Sequence, residues 1–153
     1  MQSNYCNLGR ILAIDYGQKR VGLAVTDQLR ISAQGLDTVH VSEVFDYIMD
    51  YVSKEPVDVI VIGEPKTMDN QASDASRFIE PFVKRLKKNL PDITIVRMDE
   101  RFTSKMAFQT MIDAGLSKKK RANKELVDKI SATIILQSFL QQLEIAAGRE
   151  SMN

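Results

Sequence analysis

Between Pro56 and Gly63 the chain reads Val57-Asp58-Val59-Ile60-Val61-Ile62. Side chains branched at Cβ suit a pleated surface, and a run this apolar needs cover on both sides, so it marks a buried strand. Other strand and helix patterns alternate around it. Ile11-Leu12-Ala13-Ile14 ends in Asp15-Tyr16-Gly17, and a second run, Val21 to Val25, follows the turn residues Gln18-Lys19-Arg20, which together predict a β-hairpin. A third extended stretch spans Ile31 to Val41, with Gly35 weakening its regularity.

From Ser42 the period changes. Val44, Ile48 and Val52 recur four apart with Phe45 and Met49 beside them, a helical stripe for which Ser42 is the expected N-cap and Pro56 the stop. Phe78, Phe82, Leu86 and Leu90 mark a second helix, in which Pro81 is either the start or a kink. Ile93 to Val96 is the last strand. Thr103 or Ser104 then opens a helix that Gly115 can close, and a final helix runs from about Lys124 to Ala147. The pattern predicts an α/β fold, a mixed five-stranded sheet with helices on both faces.

At 153 residues, with 44% hydrophobic and 27% charged, the chain suits a single domain, 1–153, with a real core. Lys and Arg number 21 against 20 Asp and Glu, so a nucleic-acid partner must be held by local patches rather than by a global field. The single cysteine, Cys6, cannot form an internal disulfide, and the first residues lack a signal-peptide layout, so a reducing cytoplasm is expected. No apolar stretch approaches the roughly 20 residues that span a bilayer, which excludes a membrane partner.

The chemistry sits in carboxylates at strand ends. Asp15 closes an apolar strand, where an ionised group needs compensation. Two readings stay open: Asp15 caps the turn before Gly17, or it binds a cation. Gly22 and Ala24 alternate on the next strand and permit close approach of a helix or ligand. Asp99 and Glu100 follow the last strand, and Asp128 lies early in the final helix with Ser131 and Ala132 on its face. Ligands collect beyond the carboxyl ends of parallel strands. Acidic oxygens gathered there without a Cys or His cluster point to Mg²⁺ or Mn²⁺. The plainer alternatives are an acidic helix start and a Glu100–Arg101 pair.

Lys118-Lys119-Lys120-Arg121 and the cluster Lys84, Arg85, Lys87 and Lys88 can contact phosphates, although such runs are usually solvated surface. His40, the single histidine, reads as structural. Neither a P-loop nor a Ser-His-Asp signature is present.

Four blocks in order resemble the YqgF family. They are Ile14 to Asp27, Val61-Ile62-Gly63-Glu64-Pro65 with Met68-Asp69, Asp99-Glu100-Arg101-Phe102-Thr103-Ser104, and Val127-Asp128-Lys129-Ile130-Ser131-Ala132 with Ile135-Leu136-Gln137. The chain departs from the family pattern at Glu64, where an apolar residue is common, and at Asn70, where glycine is frequent. The resemblance implies a ribonuclease H-like fold akin to RuvC-type Holliday junction resolvases, and a metal-dependent nuclease processing the 5′ end of pre-16S ribosomal RNA. On that reading Asp15, Glu100 and Asp128 are catalytic and hold one or two Mg²⁺ or Mn²⁺ ions, leaving 5′-phosphate and 3′-hydroxyl ends. Glu64 is a further candidate ligand, and Asp99 is undecided. Lys19, Arg20, Arg101, Lys118, Lys119, Lys120 and Arg121 bind the backbone of the substrate. The implied partners are precursor rRNA or branched DNA, with a homodimer or a ribosomal assembly partner also in view. The rival readings are an actin-like ATP-binding protein, which needs a duplicated domain, and a non-catalytic ribosome-assembly factor.

Overall fold

The computed structural model describes residues 9–64, 74–99 and 123–151. Within them the elements are β1 (Arg10–Tyr16), β2 (Arg20–Thr26), β3 (Ala33–His40), α1 (Val44–Lys54), β4 (Val57–Glu64), α2 (Asp74–Asn89), β5 (Thr94–Asp99) and α3 (Lys124–Ser151). The expected helix between Thr103 and Gly115 lies outside the described residues.

The strands form one sheet in the order β3-β2-β1-β4-β5. Short turns suffice for the antiparallel pairs β1–β2 and β2–β3, whereas the parallel pairs β1–β4 and β4–β5 need crossovers, which contain α1 and α2. The sheet is therefore mixed and five-stranded, as the pattern predicts.

Alternation along each strand sorts side chains between two faces. Leu12, Ile14, Tyr16, Val21, Leu23, Ile60 and Ile62 pack with Val44 and Ile48 of α1 and with Ile79, Phe82 and Leu86 of α2. Each such fully buried aliphatic side chain contributes roughly 1.5–3 kcal/mol. On the other face Ile11, Ala13, Ala24 and Val61 meet Ala132, Ile135 and Leu136 of α3. Alanines on both sides let α3 lie close to the sheet. Among the described residues no helix is long and apolar enough to cross a membrane.

One local expectation fails, one narrows and one is met. Ser42 does not cap α1: the N-cap is Glu43, with no side-chain cap bond. The Ser42 hydroxyl lies 2.8 Å from His40 Nδ1, and its backbone N–H donates to the same nitrogen at 3.1 Å, so the residue belongs to the turn before the helix. Pro81 does not start α2, which runs through it from Asp74 to Asn89, so of the two readings the start is excluded. Its side chain is exposed, where water can reach the carbonyl left without a partner. Gly35 keeps its place in β3 at a bulge, for the register slips between Leu23, paired with Asp37, and Ala24, paired with Gly35.

Pro81→Ala restores a backbone donor inside α2 and is expected to stabilise the protein by about 1–3 kcal/mol. The measurement is urea unfolding: the midpoint should rise at constant slope. A lower midpoint would mean that the ring itself is needed in the packing.

Candidate active site

Asp15 is the penultimate residue of β1, partly buried, on the strand face that Ile11 and Ala13 turn toward α3. Its ladder partners are Gly22 on β2 and Gly63 on β4. Directly opposed side chains normally stand about 5 Å apart on a shared face. Here both neighbours lack a side chain, and the room this leaves over Gly22 is taken by the backbone of Asp128. The turn after β1 holds a backbone bond, Gly17 N–H donating to the Arg20 carbonyl at 3.1 Å.

Asp128 comes to the same place from α3. A Cβ built on Gly22 would fall 2.5 Å from the carbonyl carbon of Asp128 and 3.2 Å from its Cβ. The helix backbone therefore rests on the residue paired with Asp15. Asn123 sets the start of α3 by accepting the Leu126 N–H on its side chain at 3.3 Å. Ser131 and Ala132, expected on the sheet-facing side, are buried there.

Arg20, at the start of β2, donates from Nε to Asp128 Oδ2 at 3.0 Å; the two side chains are 34% and 25% exposed. Lys19 is exposed in the turn, its carbonyl accepting from Val41 N–H at 2.9 Å. β4 and β5 end side by side with Glu64 paired to Asp99, at the carboxyl end where Asp15 closes β1. Glu100, Arg101 and Lys118 to Arg121 lie outside the described residues, as do the side chains of Glu64 and Asp99.

Other candidates fall elsewhere. His40 pairs with Arg20 in the ladder, but its ring holds the turn at Ser42. Lys84, Arg85, Lys87 and Lys88 lie on α2, across the sheet from Asp128, and Arg85 stacks 3.6 Å above the Phe45 ring. Tyr16 also faces α2, its ring 4.8 Å from that of Phe82, and burial pushes its hydroxyl above the ordinary value. It stays protonated there.

Sequence reasoning missed two features. Gly63 was visible as a strand terminator, but its place beside Asp15 follows only from the parallel register. The second is a cleft of about 220 Å³ lined by Asp37, Thr38, Asn123, Leu126 and Lys129. Thr38 pairs with Gly22, so this cleft adjoins the carboxylates.

Asp15 and Asp128 offer only hard oxygen donors, which suit Mg²⁺ or Mn²⁺. Among the described residues no group of three metal-ligating side chains occurs, Glu100 being outside them. Asp128 nevertheless rests on the ladder partner of Asp15, and a guanidinium already lies against its carboxylate. That arrangement fits a cation.

A family model described as "RuvX: Holliday junction resolvase" matches residues 9–142. A Phocaeicola vulgatus protein named as a candidate pre-16S rRNA nuclease is 58% identical over 134 residues, 88% of this chain and 96% of that one. A Flavobacterium psychrophilum protein of the same name is 57% identical, covering 86% and 96%. Among solved structures, fowlpox virus resolvase with Holliday junction DNA aligns with TM-score 0.55 at 16% identity, over 88% of this chain and 98% of that one. T. thermophilus RuvC with a Holliday junction aligns with TM-score 0.53 at 13% identity, over 88% and 96%. The fold is thus the ribonuclease H-like resolvase fold.

The contact at Gly22 can be tested against that at Gly35, where an added Cβ meets the flexible stem of Lys129 rather than backbone. Gly22→Ala is expected to cost about 1–3 kcal/mol. Gly35→Ala should cost less, since Lys129 can swing away. Urea midpoints of the two variants provide the comparison, and equal losses would refute the idea that α3 is seated on Gly22.

Proposed function

The chain belongs to the RuvX family, the YqgF family of the motif resemblance, which makes it a hydrolytic nuclease, and from that premise we propose that Asp15, Glu100 and Asp128 hold one or two Mg²⁺ or Mn²⁺ ions and cut precursor 16S ribosomal RNA near its 5′ end. The observation that carries this reading is the seating of Asp128 on Gly22, which brings two acidic residues from opposite ends of the chain together. Val96 and Met98 of β5 share the face of Asp15, and in sequence Glu100 follows directly on that strand.

The ion, when bound, supplies an activated water and stabilises charge on the leaving oxygen. Asp15 offers a carboxylate that no ladder neighbour crowds. Asp128 offers a second one from a helix whose position the sheet fixes. Glu64, at the end of β4, is a further candidate ligand. Lys19 and Arg20 at the hairpin turn, with Arg101 and Lys118, Lys119, Lys120 and Arg121, place the phosphate backbone without reading sequence.

High identity over nearly the full length of the rRNA-nuclease relatives supports RNA as the substrate. A second reading, cleavage of branched DNA, is supported by the family description and by the resolvases of like fold. It requires two active sites, hence a homodimer, whereas rRNA processing suits a ribosomal assembly partner. In either reading residues 1–153 act as one nuclease domain in the cytoplasm.

The test sets labelled precursor rRNA and a synthetic four-way junction side by side with purified protein and Mn²⁺. Asp15→Asn should abolish cleavage, and Asp128→Asn should weaken Mn²⁺ binding in a calorimetric titration, while both variants melt as the parent does. Undiminished cleavage by Asp15→Asn would remove it from the mechanism. Preferred cutting of the junction would favour the second reading.

A further inference from the structure

Arg20 and Asp128 are separated by 108 positions in sequence, yet each is anchored before their side chains meet. Arg20 stands at the mouth of the β1–β2 hairpin, its carbonyl bonded by Gly17 N–H at 3.1 Å and the preceding carbonyl by Val41 N–H at 2.9 Å. The Asp128 backbone is pressed on Gly22, two residues along the same strand. The guanidinium thus meets the carboxylate from a rigid base. Among the described residues it does so through Nε alone, a one-point contact and not the two-point fork that grips a carboxylate hardest. Such a partner neutralises charge and can still be exchanged.

We propose that Arg20 is a built-in stand-in cation: in the metal-free protein it neutralises Asp128 and competes with the metal ion for that carboxylate, thereby setting how tightly the site loads. The inference rests on the metal-binding reading above. A guanidinium retained only as a phosphate ligand would have no effect on metal affinity in the absence of nucleic acid. One retained only to order Asp128 would strengthen metal binding, so its loss would weaken it. Competition alone gives the opposite sign, because removing a positive charge beside an acidic ligand favours another cation.

The experiment is a calorimetric titration with Mn²⁺ alone, without nucleic acid, on the full-length protein, Arg20→Gln and Arg20→Lys, with melting curves at zero and saturating Mn²⁺. Arg20→Gln should bind Mn²⁺ roughly three- to tenfold more tightly than the parent. It should melt lower without metal and gain more from saturating Mn²⁺. Arg20→Lys keeps the charge and should stay within about twofold of the parent. If Arg20→Gln does not fold without metal, Arg20→Met, which also removes the charge, carries the titration with the same tightening expected. Equal or weaker binding by the variant titrated overturns the competition while the metal site stands. Failure of the parent to bind Mn²⁺ overturns the metal-binding reading, and this inference with it.

Discussion

The arrangement depends on one close approach: the first turns of α3 lie directly on the backbone of β2 at Gly22, with no room for a Cβ between them. A helix over an ordinary strand is held off by the side chains between them. Here alanine faces alanine further along the same interface, and glycine takes the carbonyl of Asp128 at its end. Helix position is then set by backbone contact, which tolerates little drift. Because Gly22 is the ladder partner of Asp15, that contact also sets the backbone of Asp128 beside that of Asp15.

The two faces of the sheet divide the work. Toward α1 and α2 the strands present Leu, Ile, Val and Tyr side chains, and the bulk of the buried volume lies there. Toward α3 they present mostly smaller ones. A face poor in bulk contributes less to stability but lets a helix carry a functional group to the sheet surface. The carboxyl ends of β1, β4 and β5 open at the same end.

Much of this was legible beforehand, for physical reasons that differ by element. β4 announced itself because β-branched residues at nearly every position suit only a strand covered on both sides. The hairpin was legible from two apolar runs and a turn, and Asp15 from the oddity of an acid closing such a run. Gly22 and Ala24 signalled close approach, though not of what. The α1 cap was misread because Ser42 has the right chemistry for a cap, but its hydroxyl is engaged by His40, a competition that residue type does not reveal. The Arg20–Asp128 pair and the placement of Gly63 beside Asp15 had no local signal. Both arise from strand order and helix docking, which periodicity does not encode. Glu100 stood out as an acid following the last strand, and the motif resemblance favoured it over Glu64.

The slipped pairing at Gly35 has a consequence for solubility. β3 is an outer strand, and an outer strand with regular spacing offers its free amides and carbonyls as a template for another chain. An extra residue breaks that spacing and twists the rim, and the stem of Lys129 lies over the glycine where the break occurs. The rim is thereby a poorer seed for edge-to-edge aggregation.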